Sequence, residues 1–327
     1  MKKWVAWVGV LLSLVAVGIL LWRVDLRALT ASIAAADFRW LAASFALFFL
    51  MFLFRAWRWA RLLGLDPRTK LGVTWHANII GYMFNILLPL RLGELARAWI
   101  IAKKTDVGIA RALSAVMVER LVDLASVIVL FAGFAQVVPM RASFNRAALF
   151  GATAFVIALA AVVVLVVKGE STERWVRGRF GERSETWLGR FRDIRMAFRS
   201  IGTARGMFTC GALTIAVWVT AILTAELCMK GFLPVETSLT KAGLMVVTAN
   251  LGGALPSAPG GLGIVQGFAT SALVVPFGID EGRALAFVLV WSLGQQLVLV
   301  LLGLFSMVRV GISFGEIRAG VSGPKGK

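Results

Sequence analysis

The sequence predicts an all-α polytopic membrane protein with about six to eight transmembrane helices and two re-entrant helical hairpins in an inverted repeat. Three observations point there. Hydrophobic residues make up 59% of the 327 positions, and the mean hydropathy of +0.84 lies far above that of a soluble chain this long. The formal net charge is +18 although only 16% of residues are charged, so the bases crowd between apolar runs. Two apolar stretches also break alike. Residues 77–94 and 249–263 each carry Ala-Asn, then Leu-Pro, then a glycine turn, then an apolar segment too short to cross a bilayer alone. Proline and glycine frees backbone groups that find no water in lipid. Such breaks survive only when wrapped in protein or lining a polar cavity, and matched breaks in two halves point to a site between repeats.

The elements follow in order. Lys2 and Lys3 precede an apolar run over residues 4–22, too long for an ordinary signal-peptide core, which reads as an uncleaved first span. Leu26, Leu29 and Ile33 suggest a short interfacial helix. A span needs roughly 20 apolar residues, and residues 40–59, 110–138, 147–167, 207–229 and 284–308 supply five more. The broken stretches, about 71–102 and 241–278, read as the hairpins. Counting each half-hairpin as a full span is the alternative, and it also keeps both termini on one side. Residues 168–205 carry ten bases against five acids. There Trp187, Phe191, Ile194, Phe198 and Ile201 recur at helical steps, which predicts an amphipathic helix on the cytoplasmic surface or a linker helix packed on the bundle.

Excess Lys and Arg mark the cytoplasmic side. Lys2 and Lys3, the block from Arg55 to Lys70, the pair Lys103 and Lys104, the segment 168–205 and the C-terminal bases then all fall inside. This predicts a multi-pass protein of the cytoplasmic (inner) membrane with both termini cytoplasmic. One integral membrane domain spans 1–327, with repeat half one at about 40–138, the amphipathic segment at 168–206 and half two at about 207–310. The hairpins enter from opposite faces.

Several chemistries are excluded. No nucleotide-binding, zinc-protease or nucleophile-elbow pattern occurs. The one histidine, His76, reads as a satisfied interface residue. Cys210 and Cys228 share one apolar segment and, if it is helical, lie about 27 Å apart along it, too far to bridge. No metal and no cofactor is expected. The basic charge suits anionic lipid headgroups rather than nucleic acid.

Ionisable side chains within membrane segments are expensive and are usually functional or paired. Arg91, Glu94 and Arg97 lie past the first break; Glu119, Arg120 and Asp123 lie in the following span. Glu119 and Asp123, four apart, share a helical face, and Arg120 can pair with Asp123. One reading is a polar cavity whose arginines hold a lipid phosphate in paired hydrogen bonds, with carboxylates balancing them or carrying protons. The other is that Glu94 caps a half-helix while Glu119 and Arg120 snorkel at the interface. In the second hairpin Gly260, Gly261 and Gly263 precede a half-helix whose free N–H groups could cradle an anion, or they serve the turn alone. Gly263 and Gly267 form a G-xxx-G face for close helix approach. Asn78, Asn85 and Asn250 are expected to be buried, bonding carbonyls freed at the breaks. Trp4, Trp22, Trp40 and Trp59 are expected at headgroup level.

The motifs NILLPLRLGELAR (85–97), ALSAVMVERLVDL (112–124) and LPSAPGGLGIVQ (255–266) together resemble the lysylphosphatidylglycerol synthase transmembrane family, the flippase-like domain, over nearly the whole chain. The resemblance implies movement of a lipid headgroup across the membrane. It also implies that Asn85, Arg91, Glu94, Arg97, Glu119, Arg120, Asp123, Gly260, Gly261 and Gly263 bind it. The chain ends about twenty residues after the last span, so the synthase domain of bifunctional relatives, and lipid aminoacylation with it, is not expected. Two departures stand out: Gln266 where the family pattern has an acid, and Trp291-Ser292 near where it has an arginine. If those pair in relatives, both partners are missing here.

The expected function is a lipid translocase for an anionic, glycosylated or isoprenoid headgroup, driven downhill or by an ion. The expected partner is a membrane phospholipid or lipid-linked substrate, with a homo-oligomer or a lipid-synthesis enzyme as further candidates. The alternatives are a membrane-embedded transferase on a lipid-linked substrate, or a non-catalytic scaffold for a lipid-modifying, hopanoid-related pathway. The chain reads as a transporter rather than an enzyme.

Overall fold

The computed structural model describes residues 36–88, 92–138, 204–232, 236–254 and 259–321, with isolated positions between 146 and 179. The expected first span, the interfacial helix near Leu29, most of the 147–167 span, the amphipathic segment, and the turn residues Pro89, Arg91 and Pro256 lie outside the described residues.

The described chain is helical throughout, without strands. Helix α1 (Phe38–Leu62) starts on Asp37, whose side chain accepts from the Arg39 N–H, satisfying one of the donors a helix start leaves open. Helix α2 (Pro67–Leu87) is capped the same way by Asp66, with proline in its first turn, where a missing N–H costs nothing. After the first break come α3 (Gly93–Lys104) and α4 (Ile109–Val137). Then follow α5 (Ala204–Phe232) and α6 (Leu239–Ala254). The 3-10 turn Pro259–Gly261 leads into α7 (Ile264–Phe277), α8 (Glu281–Val310) and α9 (Phe314–Val321). Helices α1, α5 and α8 are long and apolar enough to cross a membrane, and they bear exposed large residues such as Phe49, Ile215 and Leu301. An apolar outer face of this kind suits lipid.

Backbone contacts give the directions. Asp37 N–H donates to Gly231 O at 3.0 Å, Ser44 Oγ to Thr224 O at 2.8 Å and Arg58 Nη1 to Thr214 Oγ1 at 3.2 Å. One number rises as the other falls, so α1 and α5 are antiparallel. His76 Nδ1 lies 3.0 Å from Ser306 Oγ, and a Cβ on Gly303 would meet Met83, so α2 and α8 are antiparallel too. The end of α1, the start of α2, the start of α5 and the end of α8 therefore share one end of the bundle. Helix α9 follows α8 there and holds Lys103, the end of α3, through Glu316. The α2–α3 hairpin thus leaves from and returns to that end.

Helices α6 and α7 do the same at the other end. Helix α6 follows α5 there, Lys241 at its start sits 5.8 Å from the Phe277 ring, and only three residues separate α7 from α8. Each hairpin has its own apolar core. One gathers Trp59, Ile80, Met83, Ile101 and Val118; the other gathers Val127, Met245, Leu273 and Phe287. The glycine turn of the second hairpin rests on α2 of the first.

Candidate functional site

Where α1 to α4 converge, four arginines meet three carboxylates. Arg55 and Arg58, three apart, share a face of α1; Glu119 and Asp123, four apart, share a face of α4. The two faces meet. Arg58 Nη1 lies 2.7 Å from Asp123 Oδ1 and its Nη2 3.6 Å from Glu119 Oε1, while Arg55 Nη1 lies 3.7 Å from Asp123 Oδ2. From α3, Arg97 Nη1 donates to Glu119 Oε2 at 3.1 Å and to Asn78 Oδ1 of α2 at 2.7 Å. Its guanidinium lies 4.8 Å from the ring centroid of Trp59. At the more open edge Arg120 Nε sits 2.6 Å from Glu94 Oε1, and Arg55 Nη1 donates to the hydroxyl of Tyr82 at 2.8 Å, the one tyrosine in the chain.

The centre of this network is dry. Arg58 and Glu119 are each 1% exposed and Arg97 2%. Ions so far from water persist only with close partners. Among these seven side chains the guanidinium charges exceed the carboxylates by one. Arg97 also keeps Nε and Nη2, and Arg58 its Nε, buried without a hydrogen-bond acceptor.

Five of the ten expected site residues therefore meet: Glu94, Arg97, Glu119, Arg120 and Asp123. Arg120 turns to Glu94 rather than to Asp123, because Asp123 faces α1 and its arginines. Glu119 is buried rather than snorkelling, and Glu94 stands in the first turn of α3, where a carboxylate also suits the helix dipole. Asn85 stands apart from the ions: its Oδ1 accepts the Gly93 N–H at 2.9 Å, closing the first break. Arg91 lies outside the described residues.

Arg55, Arg58, Asn78, Tyr82 and Trp59 were missed as site residues. Arg55 and Arg58 read in the sequence as cytoplasmic bases; in the structure they lie inside α1, seven and four residues before its end. Their i, i+3 spacing was the available signal. Trp59 is fully buried against Arg97 instead of lying at headgroup level; Trp40, 41% exposed and 5.4 Å from Lys230 Nζ, suits that level. Asn250 is exposed and bonds its own helix at Val246 O, and Asn85 is half-buried, so the expectation of burial holds in full only for Asn78.

Apart from Lys241 at its start, the described residues of the second hairpin carry no ionisable side chain. Gly260, Gly261 and Gly263 all have positive φ, at 68°, 68° and 88°, a backbone that side chains resist. The Gly263 N–H is taken by Gln266 Oε1 at 2.8 Å, and Gln296 Nε2 donates to Gly260 O at 3.0 Å. Gln266 Nε2 donates to Ser292 Oγ at 3.0 Å, joining α7 to α8 by a neutral contact. Gly267 meets nothing within 4 Å of an added Cβ, which corrects the expectation of a G-xxx-G contact there. Cys210 and Cys228 both lie in α5 and are free. No group of three or more His, Cys, Asp or Glu able to hold a metal occurs among the described residues.

Apolar helices around a shielded ion network define a helical membrane protein. The chain belongs to the family described as the lysylphosphatidylglycerol synthase TM region, whose profile matches residues 6–303. It is similar to the glycosyltransferase AglD of Haloferax volcanii, 22% identical over 93% of this chain and 54% of that protein. It thus spans about half the length of that curated relative. No solved structure matches.

Proposed function

We propose that the protein is a lipid translocase of the cytoplasmic membrane, in which the Arg97–Glu119 network receives the phosphate of a lipid headgroup while the tails stay in the bilayer. The observation that carries this reading is the excess of one guanidinium charge among the seven side chains of the network, together with the buried, unpartnered donors of Arg97. An uncompensated cation in a low-dielectric site attracts an anion strongly, and a guanidinium fork suits phosphate oxygens. In this reading the α2–α3 and α6–α7 hairpins are re-entrant, form an inverted repeat, and rock against each other where the glycine turn rests on α2.

The network lies nearer one end of the bundle. Arg58 is four residues from the end of α1 and Arg97 seven from the end of α3, about 6 and 10 Å along the helices. Arg61, Arg68, Lys70, Lys103, Lys104 and Arg309 crowd that end, which supports reading it as the cytoplasmic one. The headgroup is loaded from that side.

Purified protein in liposomes should speed exchange of labelled phospholipid between leaflets, and the Arg97→Ala, Glu119→Ala double variant should not. Equal rates with and without protein across a panel of native lipids would overturn the reading. The name of the AglD relative favours a second reading, transfer of a group to or from a lipid-linked substrate; a new lipid product formed by the purified protein alone would establish it.

A further inference from the structure

Charge bookkeeping within the network limits what it can accept. Each carboxylate already faces a guanidinium: Glu94 with Arg120, Glu119 with Arg97 and Arg58, Asp123 with Arg58 and Arg55. Among these described side chains one positive charge is left over. A phosphodiester carries one negative charge and neutralises it; an ammonium on the same headgroup would restore it in a site where unpaired charge is costly.

The described contact between α7 and α8 adds no charge that would compensate an ammonium. The second hairpin meets α8 through Gln266 and Ser292, 0% and 6% exposed, in a neutral contact. Gln296 adds an amide at the glycine turn. Two further polar atoms here are buried without a partner, Thr270 Oγ1 and Trp291 Nε1. Thr270 is one turn from Gln266 on α7, and Trp291 adjoins Ser292 on α8. Amides, hydroxyls and an indole N–H are hydrogen-bonding groups for neutral hydroxyls, and none of them balances a cation.

We infer that the site selects a lipid-borne phosphodiester monoanion whose headgroup is hydroxylated and uncharged, and discriminates against headgroups that carry an ammonium. This rests on the reading that the Arg97 network receives a lipid headgroup. The phosphodiester can come from a glycerophospholipid or from a glycosyl phosphoprenol, since the two share this chemistry.

The test uses the full chain in detergent with short-chain probes: phosphatidylglycerol, a glucosyl phosphoprenol, phosphatidylethanolamine and lysyl-phosphatidylglycerol. Binding is read as thermal stabilisation against probe concentration. At least one of the first two should bind roughly tenfold or more tightly than both ammonium lipids, and whichever binds better names the source. Gln266→Glu keeps the acceptor for the Gly263 N–H and adds a carboxylate facing Ser292; it should narrow that ratio in favour of lysyl-phosphatidylglycerol. Equal binding of ammonium and uncharged headgroups by the native chain, binding of none of the four, or a ratio unmoved by Gln266→Glu would overturn the inference. Selective binding without movement in liposomes would sink translocation and leave the selectivity standing. Movement of all four lipids at equal rates would do the reverse.

Discussion

Arg97 of the returning half-helix donates to Glu119 of α4 at 3.1 Å, and the pair joins the first hairpin to the bundle with both side chains at or below 2% exposure. Breaking a buried pair from one side leaves the other charge alone. Glu119→Ala should therefore destabilise the protein by about 3–5 kcal/mol, because Arg97 and Arg58 lose a shared partner. Replacing Arg97 by Met and Glu119 by Leu together should cost much less while still abolishing lipid movement. Chemical unfolding in micelles, run beside the liposome assay, separates the two effects.

Charge alone is not what Arg97 supplies. Its planar group lies on Trp59 and bonds Asn78 and Glu119 through one nitrogen. Arg97→Lys keeps the charge but loses the fork and the stacking face. Lipid movement should fall by roughly tenfold or more with the fold intact by circular dichroism. Full activity of the lysine variant would show that a point charge suffices.

The first hairpin closes backbone to backbone. A Cβ on Gly93 would collide with the carbonyl oxygen of Gly81 and crowd Asn85, and backbone cannot move aside as a side chain can. Gly93→Ala should cost about 1–3 kcal/mol or prevent folding. Gly267→Ala enters open space inside α7 and should be neutral to about 1 kcal/mol stabilising. Melting temperatures of the two variants in one detergent give the comparison, and equal losses would contradict it.

Helix α9 clamps the end of α3 by an exposed contact that responds to acid. Lys103 donates to Glu316, and the Ser313 N–H donates to the same carboxylate at 2.9 Å; these bonds hold its pKa at about 2, below its ordinary 4.5. A depressed carboxylate contributes fully above its unfolded pKa and loses that contribution as pH falls through the folded one. The clamp should thus persist at neutral pH and weaken between about 4.5 and 2. Lys103→Ala should move the Glu316 titration up towards 4.5, as read from its carboxyl carbon shift.

Much of the architecture is legible in residue order. The helix bounds follow the apolar runs: the expected span 110–138 is α4, Ile109–Val137, and 284–308 lies within α8, Glu281–Val310. The break between α6 and α7 includes the glycine cluster, where Gly260, Gly261 and Gly263 take positive φ. The site was only half legible. Glu119 and Asp123 stood out as acids in an apolar run, whereas Arg58 sits near the end of one and reads as an ordinary flanking base.

What the sequence by itself determined is local: which stretches are helical, where they must break, and which segments carry the basic charge, all set by backbone chemistry and transfer from water. What only the tertiary structure decided is who faces whom. Arg120 chose Glu94 over the nearer-in-sequence Asp123, Trp59 went under Arg97 instead of to the interface, and Gln266 met Ser292. Helical spacing places residues on a face, but the helix that face meets is set by packing between elements far apart in the chain, and in a dry interior a charge follows its closest partner in space.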